Sequence, residues 1–287
     1  MKLVRFLAQG QEGWAVLNPT TGAWHGATHA TSGYPGSLDD LIRQGSKVLA
    51  LAATAMAAAP VVDLGGVQCL PPVGEPRKII CVGLNYRDHS TESGFKQPDY
   101  PTLFARFNSS ITAHGTSILH THLSDTLDFE GELAVIIGTG GKSIAAADAL
   151  SHVFAYSVFN DASVREYQFK SPQWTMGKNF DGTGAFGPWL VTADELPPGA
   201  KGLRLETRLN GQTVQSANTS DMVFDVASLI VLISEAITLE AGDLIIAGTP
   251  SGIGHAREPR LYMHPGDVCE VEIERIGLLR NTIQASA

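Results

Sequence analysis

Long apolar runs are missing from this chain. No stretch approaches the ~18 consecutive residues that a membrane-crossing helix needs, so no membrane span is expected. Clustered positive charge is missing too: 20 Lys and Arg are scattered among 29 Asp and Glu, and the formal net charge is −9. Proteins that grip nucleic acids or anionic lipid surfaces present basic patches to neutralise phosphates, so neither partner is expected. Cysteine is scarce. Cys69, Cys81 and Cys269 are odd in number, widely separated and set in apolar or strand-like surroundings. They read as free buried thiols, not as a disulfide framework or a zinc site. The segment Met1–Phe6 passes directly into alternation with no secretory apolar core or cleavage site, and a cytoplasmic location is expected. Internal repeats and low-complexity tracts are absent.

What is present is an ordinary globular composition, 287 residues with 44% hydrophobic and 17% charged, enough for a substantial core. Thirty glycines and fifteen prolines predict many turns and short strands. Val4–Phe6 and Trp14–Leu17 read as strands. Ser37 reads as the N-cap of a helix that continues into the alanines of residues 50–59. Leu70-Pro71-Pro72 and Gly74-Glu75-Pro76 then break all periodicity. The boundary is placed there, giving a small α+β domain at 1–72 and a larger domain at 73–287. From Lys78 onward strands dominate: 78–83, 132–138, 153–160, a hairpin turning at Asn210-Gly211, and 268–273. Val226–Leu239 has helical apolar spacing. The fold class is α+β and β-rich.

Five segments could carry chemistry. In the run Asp128-Phe129-Glu130-Gly131-Glu132, strand geometry would point Glu130 and Glu132 to one side, with Asp128 a possible third. Two such carboxylates beside a buried strand repel unless a cation lies between them, and oxygen donors suit a hard ion. An exposed edge strand with two solvated glutamates is the alternative. Asp161, ending an apolar run, could complete a carboxylate triad or cap the segment from Ser163 to Gln168. His89 and Glu92 would meet on one helical face, where the carboxylate can orient the imidazole as a base; a solvated loop pair is the alternative. Lys178, between Gly177 and Asn179-Phe180, could neutralise a developing enolate or simply lie at the surface. The glycine-rich run 247–254 could cradle an anion with its N–H groups and the Thr249 hydroxyl, or be a plain turn. It lacks the Gly-Lys-Ser/Thr ending of a P-loop.

Taken in order, these segments resemble the fumarylacetoacetate hydrolase family from about Lys78 to Thr282. The matching stretches are CVGLNYRDHSTE (81–92), DFEGELAVIIG (128–138), FNDASVREYQ (159–168), GKNFD (177–181), FGPWLVT (186–192), AGTPSGIG (247–254) and the closing HPGDVCEVEIERIGLLRN (264–281). The resemblance implies a rolled mixed β-sandwich catalytic domain, usually homodimeric, preceded by a small N-terminal α+β domain. It implies Glu130, Glu132 and Asp161 as ligands of Mg²⁺, with Mn²⁺ or Ca²⁺ tolerated. It implies His89 and Glu92 as the water-activating dyad and Lys178 as a catalytic contact to substrate oxygens. Arg106, Tyr86, Gln168 and Thr249 fall at substrate-binding positions. Three departures concern substrate choice: Phe104-Ala105-Arg106 where many relatives carry lysine, Ala113-His114-Gly115-Thr116, and Gly182-Thr183-Gly184-Ala185. Arginine keeps the charge but offers a planar fork.

The reaction implied is hydrolysis of a C–C bond in a 1,3-dicarbonyl acid such as an acylpyruvate, in catabolism often of aromatic compounds. The substrate is a small anionic keto acid. Alternatives are decarboxylation of an oxaloacetate-like 2-oxo acid and isomerisation of a hydroxymuconate. An idle binding protein would have lost a ligand or the base, and all are present.

Overall fold

The computed structural model describes residues 1–92 and 99–286, with the backbone alone for residues 89–91. At the start, β1 (Lys2–Ala8), β2 (Gln11–Leu17) and β3 (Trp24–Thr28) form an antiparallel meander. Ser37 caps α1 (Leu38–Gln44) as expected, its hydroxyl accepting the Asp40 N–H at 3.2 Å. Gly45, at φ 99°, ends that helix, so α2 (Ser46–Ala57) starts afresh. Leu49, Ala52, Ala53 and Met56 are its buried face, at the spacing an amphipathic helix requires. The short β4 (Val61–Val62) and β5 (Gln68–Cys69) pair back onto β3 and β1.

Beyond the expected boundary come β6 (Ile79–Gly83), α3 (Arg87–Glu92), β7 (Thr102–Arg106), β8 (Ile111–Ala113), β9 (Ile118–His120), β10 (Leu127–Asp128) and β11 (Gly131–Ile137). They are followed by β12 (Val153–Asp161), β13 (Ser163–Val164), α4 (Arg165–Gln168), α5 (Thr175–Lys178) and β14 (Gly184–Thr192). The chain closes with β15 (Arg204–Leu209), β16 (Gln212–Asn218), α6 (Val226–Ala236), β17 (Leu244–Ile246), β18 (Val268–Ile273) and β19 (Gly277–Ala285). The large mixed sheet runs β4-β3-β2-β1-β14-β12-β11-β17-β6-β7, and a second runs β16-β15-β18-β19-β9. The Asn210-Gly211 hairpin joins β15 to β16, both residues at positive φ (51° and 79°). Lys2 and Leu3 of β1 pair with Val191 and Leu190 of β14, so residues 1–72 extend the sheet built by residues 73–287.

All seven residues of β11 are buried because both of its faces are covered. Ala134 and Ile136 pack with Leu38, Leu41 and Leu49 of the N-terminal helices. Leu133, Val135 and Ile137 pack with Leu205, Val271 and Leu279 of the second sheet. A strand covered on both faces reads as a continuous apolar run, which is what 133–137 is. The β-rich α+β architecture of two packed mixed sheets is the one the sequence predicts.

Candidate active site

The end of β11 is where the apolar run gives way to carboxylates. Glu130 and Glu132 flank Gly131, and a Cβ at Gly131 would lie 2.3 Å from the Thr207 hydroxyl, so glycine alone fits beneath the second sheet. The backbone of Glu130 is fixed on both sides. Its N–H donates to Asn160 Oδ1 at 3.0 Å, and its carbonyl accepts the Asp161 N–H at 2.8 Å. The ends of β11 and β12 are thereby locked in register. Asp161 does not cap α4, which follows Val164 without a side-chain cap; its carboxylate turns to the two glutamates instead. Oxygens of Glu130, Glu132 and Asp161 all lie within 4.8 Å of one another, and the residues are 4%, 2% and 0% exposed.

Three buried cations surround this triad. Lys178 Nζ bridges Glu130 Oε2 and Asp161 Oδ2, each at 2.7 Å. Arg106 Nε donates to Asp161 Oδ1. Arg165 Nη1 lies 2.6 Å from Glu130 Oε1, while its Nε donates to Asp128 Oδ2 at 2.8 Å. Glu132 is different: the contact it makes among these groups is the N–H of Gly248, 2.5 Å from Oε2. Burial, then Asp161 and Glu130, push its pKa well above the ordinary carboxylate value. Burial works against the charge on Lys178, but Asp161 and Glu130 outweigh it and its pKa is raised. Three oxygen donors at this spacing, one of them without a cationic partner among the described residues, fit a hard divalent ion. Glu130, Glu132 and Asp161 would hold it.

Glu130, Glu132 and Lys178 line a cavity of about 310 Å³, with Asp161 behind them. Its walls include Glu92, Gln168, Thr249 and His255 on the polar side, and Phe104, Phe169, Trp174 and Ile253 on the apolar side. Gly83 makes room for Trp174, since a Cβ there would lie 2.3 Å from the indole. Gly177 does the same for Gln168, bringing α5 against α4.

The glycine-rich run 247–254 sits among these groups, and the N–H groups of three of its glycines are spent on the protein's own carboxylates. Gly248 N–H goes to Glu132, Gly252 N–H to both oxygens of Glu92 (3.0 and 2.9 Å), and Gly254 and His255 N–H to Asp128 (2.8 and 2.9 Å). The anions these glycines meet, Glu132, Glu92 and Asp128, are internal. Thr249 lines the cavity, yet its hydroxyl donates to the Gly131 carbonyl at 3.0 Å and accepts from Gln215 Nε2 at 2.9 Å. Gln168 lines the cavity and accepts from Arg165 Nη1 at 2.8 Å.

Arg106 is placed differently from the substrate contact expected of it. It is 3% exposed and lies behind Asp161, with its remaining donors on the Ala162 carbonyl (2.5 Å), Ser110 (3.2 Å) and Thr183 (3.3 Å). Its fork orients a triad carboxylate and does not line the cavity. Tyr86 is buried and lines a separate pocket beside Asp221 and Met222. His89 and Glu92 both belong to α3 as expected; the side chain of His89 lies outside the described residues. Arg165 was not singled out by the sequence reading. Its signal was available in the i, i+3 spacing to Gln168, four residues beyond Asp161.

Comparison with known proteins adds to this geometry. Residues 78–284 match the family model described as fumarylacetoacetate (FAA) hydrolase C-terminal. A Rattus norvegicus protein named as a mitochondrial oxaloacetate tautomerase is 39% identical over 251 residues, covering 87% of this chain and 80% of that protein. Among solved structures, a fumarylacetoacetate hydrolase from psychrophilic Exiguobacterium antarcticum is 38% identical with a TM-score of 0.86, covering 100% of both chains. A maleylpyruvate hydrolase from Sphingobium sp. SYK-6, in complex with manganese(II) and pyruvate, is 26% identical with a TM-score of 0.81, again covering 100% of both.

Proposed function

The chain belongs to the fumarylacetoacetate hydrolase family, and from that premise we propose that it is a divalent-metal-dependent enzyme interconverting the keto and enol forms of an oxaloacetate-like 2-oxo acid. The observation that carries the reading is the buried triad, with Lys178 bridging Glu130 and Asp161, whose two glutamates line a cavity together with Lys178 and Glu92. The name of the rat relative supports tautomerisation over the C–C hydrolysis expected from sequence.

The ion, Mg²⁺ or in its place Mn²⁺, supplies Lewis-acid polarisation and a template for adjacent carboxylate and oxo oxygens. Lys178 adds positive charge at the floor of the cavity, where oxygen becomes negative as the reaction proceeds. Glu92 accepts the Gly252 N–H and stands three residues after His89 on α3, the pair that the family resemblance makes the dyad. His89 takes a proton from C3 of the substrate. The C–H electron pair becomes the C=C bond, the carbonyl π pair moves to oxygen, and that oxygen takes up a proton. The reverse sequence regenerates the ketone, and no water is consumed. Gln168 and Arg165, on the polar wall, receive the substrate carboxylate.

Hydrolysis of an acylpyruvate is the second reading, favoured by the retention of both His89 and Glu92, which can activate water as readily as they can move a proton from carbon. One experiment separates the two. The purified protein, with Mg²⁺ or with EDTA, is given the enol form of oxaloacetate and, separately, acylpyruvates, while loss of enol absorbance, CO₂ release and acylpyruvate cleavage are followed. Metal-dependent loss of enol without CO₂ is expected. Enol decay at the uncatalysed rate alongside acylpyruvate cleavage would replace tautomerisation with hydrolysis. Full activity in EDTA would remove the metal from the reading.

A further inference from the structure

We propose that Asp128 is a positioning residue that sets the metal affinity of the triad, by holding part of the charge of Arg165 away from Glu130. The inference rests on the triad being the metal site. Asp128 is fully buried and outside the triad, yet it accepts four hydrogen bonds. Oδ1 takes the N–H groups of Phe129 and Gly254, both at 2.8 Å; Oδ2 takes the His255 N–H at 2.9 Å and Arg165 Nε at 2.8 Å. Arg165 thus lies between two carboxylates, Asp128 on its Nε side and Glu130 on its Nη1 side at 2.6 Å. Its Nη2 has no hydrogen-bond partner among the described residues.

That arrangement has an electrostatic consequence. A guanidinium always carries its charge, and in a buried site charges act strongly on one another. While Asp128 is ionised, the charge of Arg165 is balanced from behind, and Glu130 remains able to serve a second cation. Without the carboxylate of Asp128, the whole guanidinium charge would bear on Glu130. It would compete with a metal ion for Oε1 and repel the ion once bound. Asp128 also fixes the turn at Gly254 and His255, so the same residue joins the cavity wall to the metal ligand. Gly254 makes this possible, because a Cβ there would lie 2.7 Å from Asp128 Oδ1 and 1.6 Å from the Leu261 carbonyl oxygen.

The test is Mn²⁺ binding to the metal-free full-length protein by titration calorimetry, with folding checked by circular dichroism. Outer partners of metal ligands typically change affinity by about 10- to 100-fold, so Asp128→Asn should bind Mn²⁺ at least about tenfold more weakly than wild type. A merely structural role would make the double variant Asp128→Asn/Arg165→Met no better than the single one. The proposal instead requires it to recover, to within about threefold of Arg165→Met alone, since the competing charge is gone. Wild-type affinity in Asp128→Asn, or no recovery in the double variant, overturns it. Arg165→Met by itself should bind Mn²⁺ as tightly as wild type or more tightly, and this arm decides the matter if Asp128→Asn does not fold; weaker binding there also overturns the proposal. Absence of Mn²⁺ binding to the wild type would instead refute the metal centre itself.

Discussion

Replacing Glu132 by glutamine should stabilise the metal-free protein at neutral pH while abolishing its response to metal. Glu132 is 2% exposed and crowded by Asp161 and Glu130, whereas the three buried cations contact those two neighbours. Its folded pKa is well above the ordinary value of 4.5, through burial first and like charge second. The native state therefore keeps a proton that the unfolded state releases. Stability is greatest below the ordinary value and falls as pH rises toward the folded pKa. The slope over that window is up to about 1.4 kcal/mol per pH unit, so the span from pH 5 to pH 7 carries up to about 3 kcal/mol. Glutamine has the same shape, keeps an acceptor for the Gly248 N–H and has no slope. At roughly 2–4 °C per kcal/mol for a chain of this order of size, the metal-free variant should melt up to about 6–12 °C above wild type at pH 7. The two should converge near pH 5. Thermal melts in EDTA across pH 5–8 read this directly. Repeating them with Mg²⁺ at a hundred times its Kd should stabilise wild type by about 2.7 kcal/mol and leave the variant unmoved. Equal melting at pH 7 in EDTA, or the same pH slope in both proteins, would refute the reasoning.

Asp161→Asn strips Lys178 and Arg106 of a shared carboxylate. It should lose Mn²⁺ binding and turnover and cost about 3–5 kcal/mol in a urea melt; wild-type affinity would count against Asp161 as a ligand. His89→Ala should bind Mn²⁺ normally while turnover drops about 10²- to 10⁴-fold, and unchanged turnover in a steady-state assay would remove the dyad from the mechanism. Gly254→Ala forces a Cβ to 1.6 Å from the Leu261 carbonyl oxygen, a backbone atom with little room to move. A loss of about 1–3 kcal/mol or more is expected as a lower urea midpoint, and an unshifted midpoint would show that the turn yields.

Much of this was legible in local sequence, where short-range rules decide. The apolar run 133–137 announced a strand buried on both faces, the Glu-Gly-Glu spacing put two carboxylates together, and Ser37 and Asn210-Gly211 marked a cap and a turn. What escaped depends on partners far away in the chain. Arg165 meets Asp128 and Glu130 across a loop and two strands, so its role was invisible although its spacing to Gln168 was not. The N–H groups of 248–254 could be read as donors, but only the fold shows that those of Gly248, Gly252 and Gly254 face Glu132, Glu92 and Asp128. Arg106 was expected at a substrate-binding position from the family resemblance, where many relatives carry lysine; the fold turns its fork onto Asp161. The proline-rich segment near residue 72 has no regular secondary structure. The pairing of Leu3 with Leu190, which carries the sheet across it, has no local signature.

The charges of the site also order its chemistry. Asp128, Glu130, Glu132 and Asp161 are four buried carboxylates, and Arg106, Arg165 and Lys178 are three buried cations, so with all of them ionised the centre holds one excess negative charge. In the metal-free protein the proton held by Glu132 brings that sum to zero, so an anionic 2-oxo acid finds no excess positive charge there and would compete with Glu130 and Asp161 for Lys178. A divalent ion that displaces that proton would leave one excess positive charge in a cavity of low dielectric, where it acts strongly on a carboxylate. Metal therefore precedes substrate. The same balance explains why Glu132 meets a backbone N–H and not a fourth cationic side chain. A fourth fixed cation would keep Glu132 ionised in the empty site and stabilise it, but it would also weaken the hold on the metal that makes the site attract its substrate.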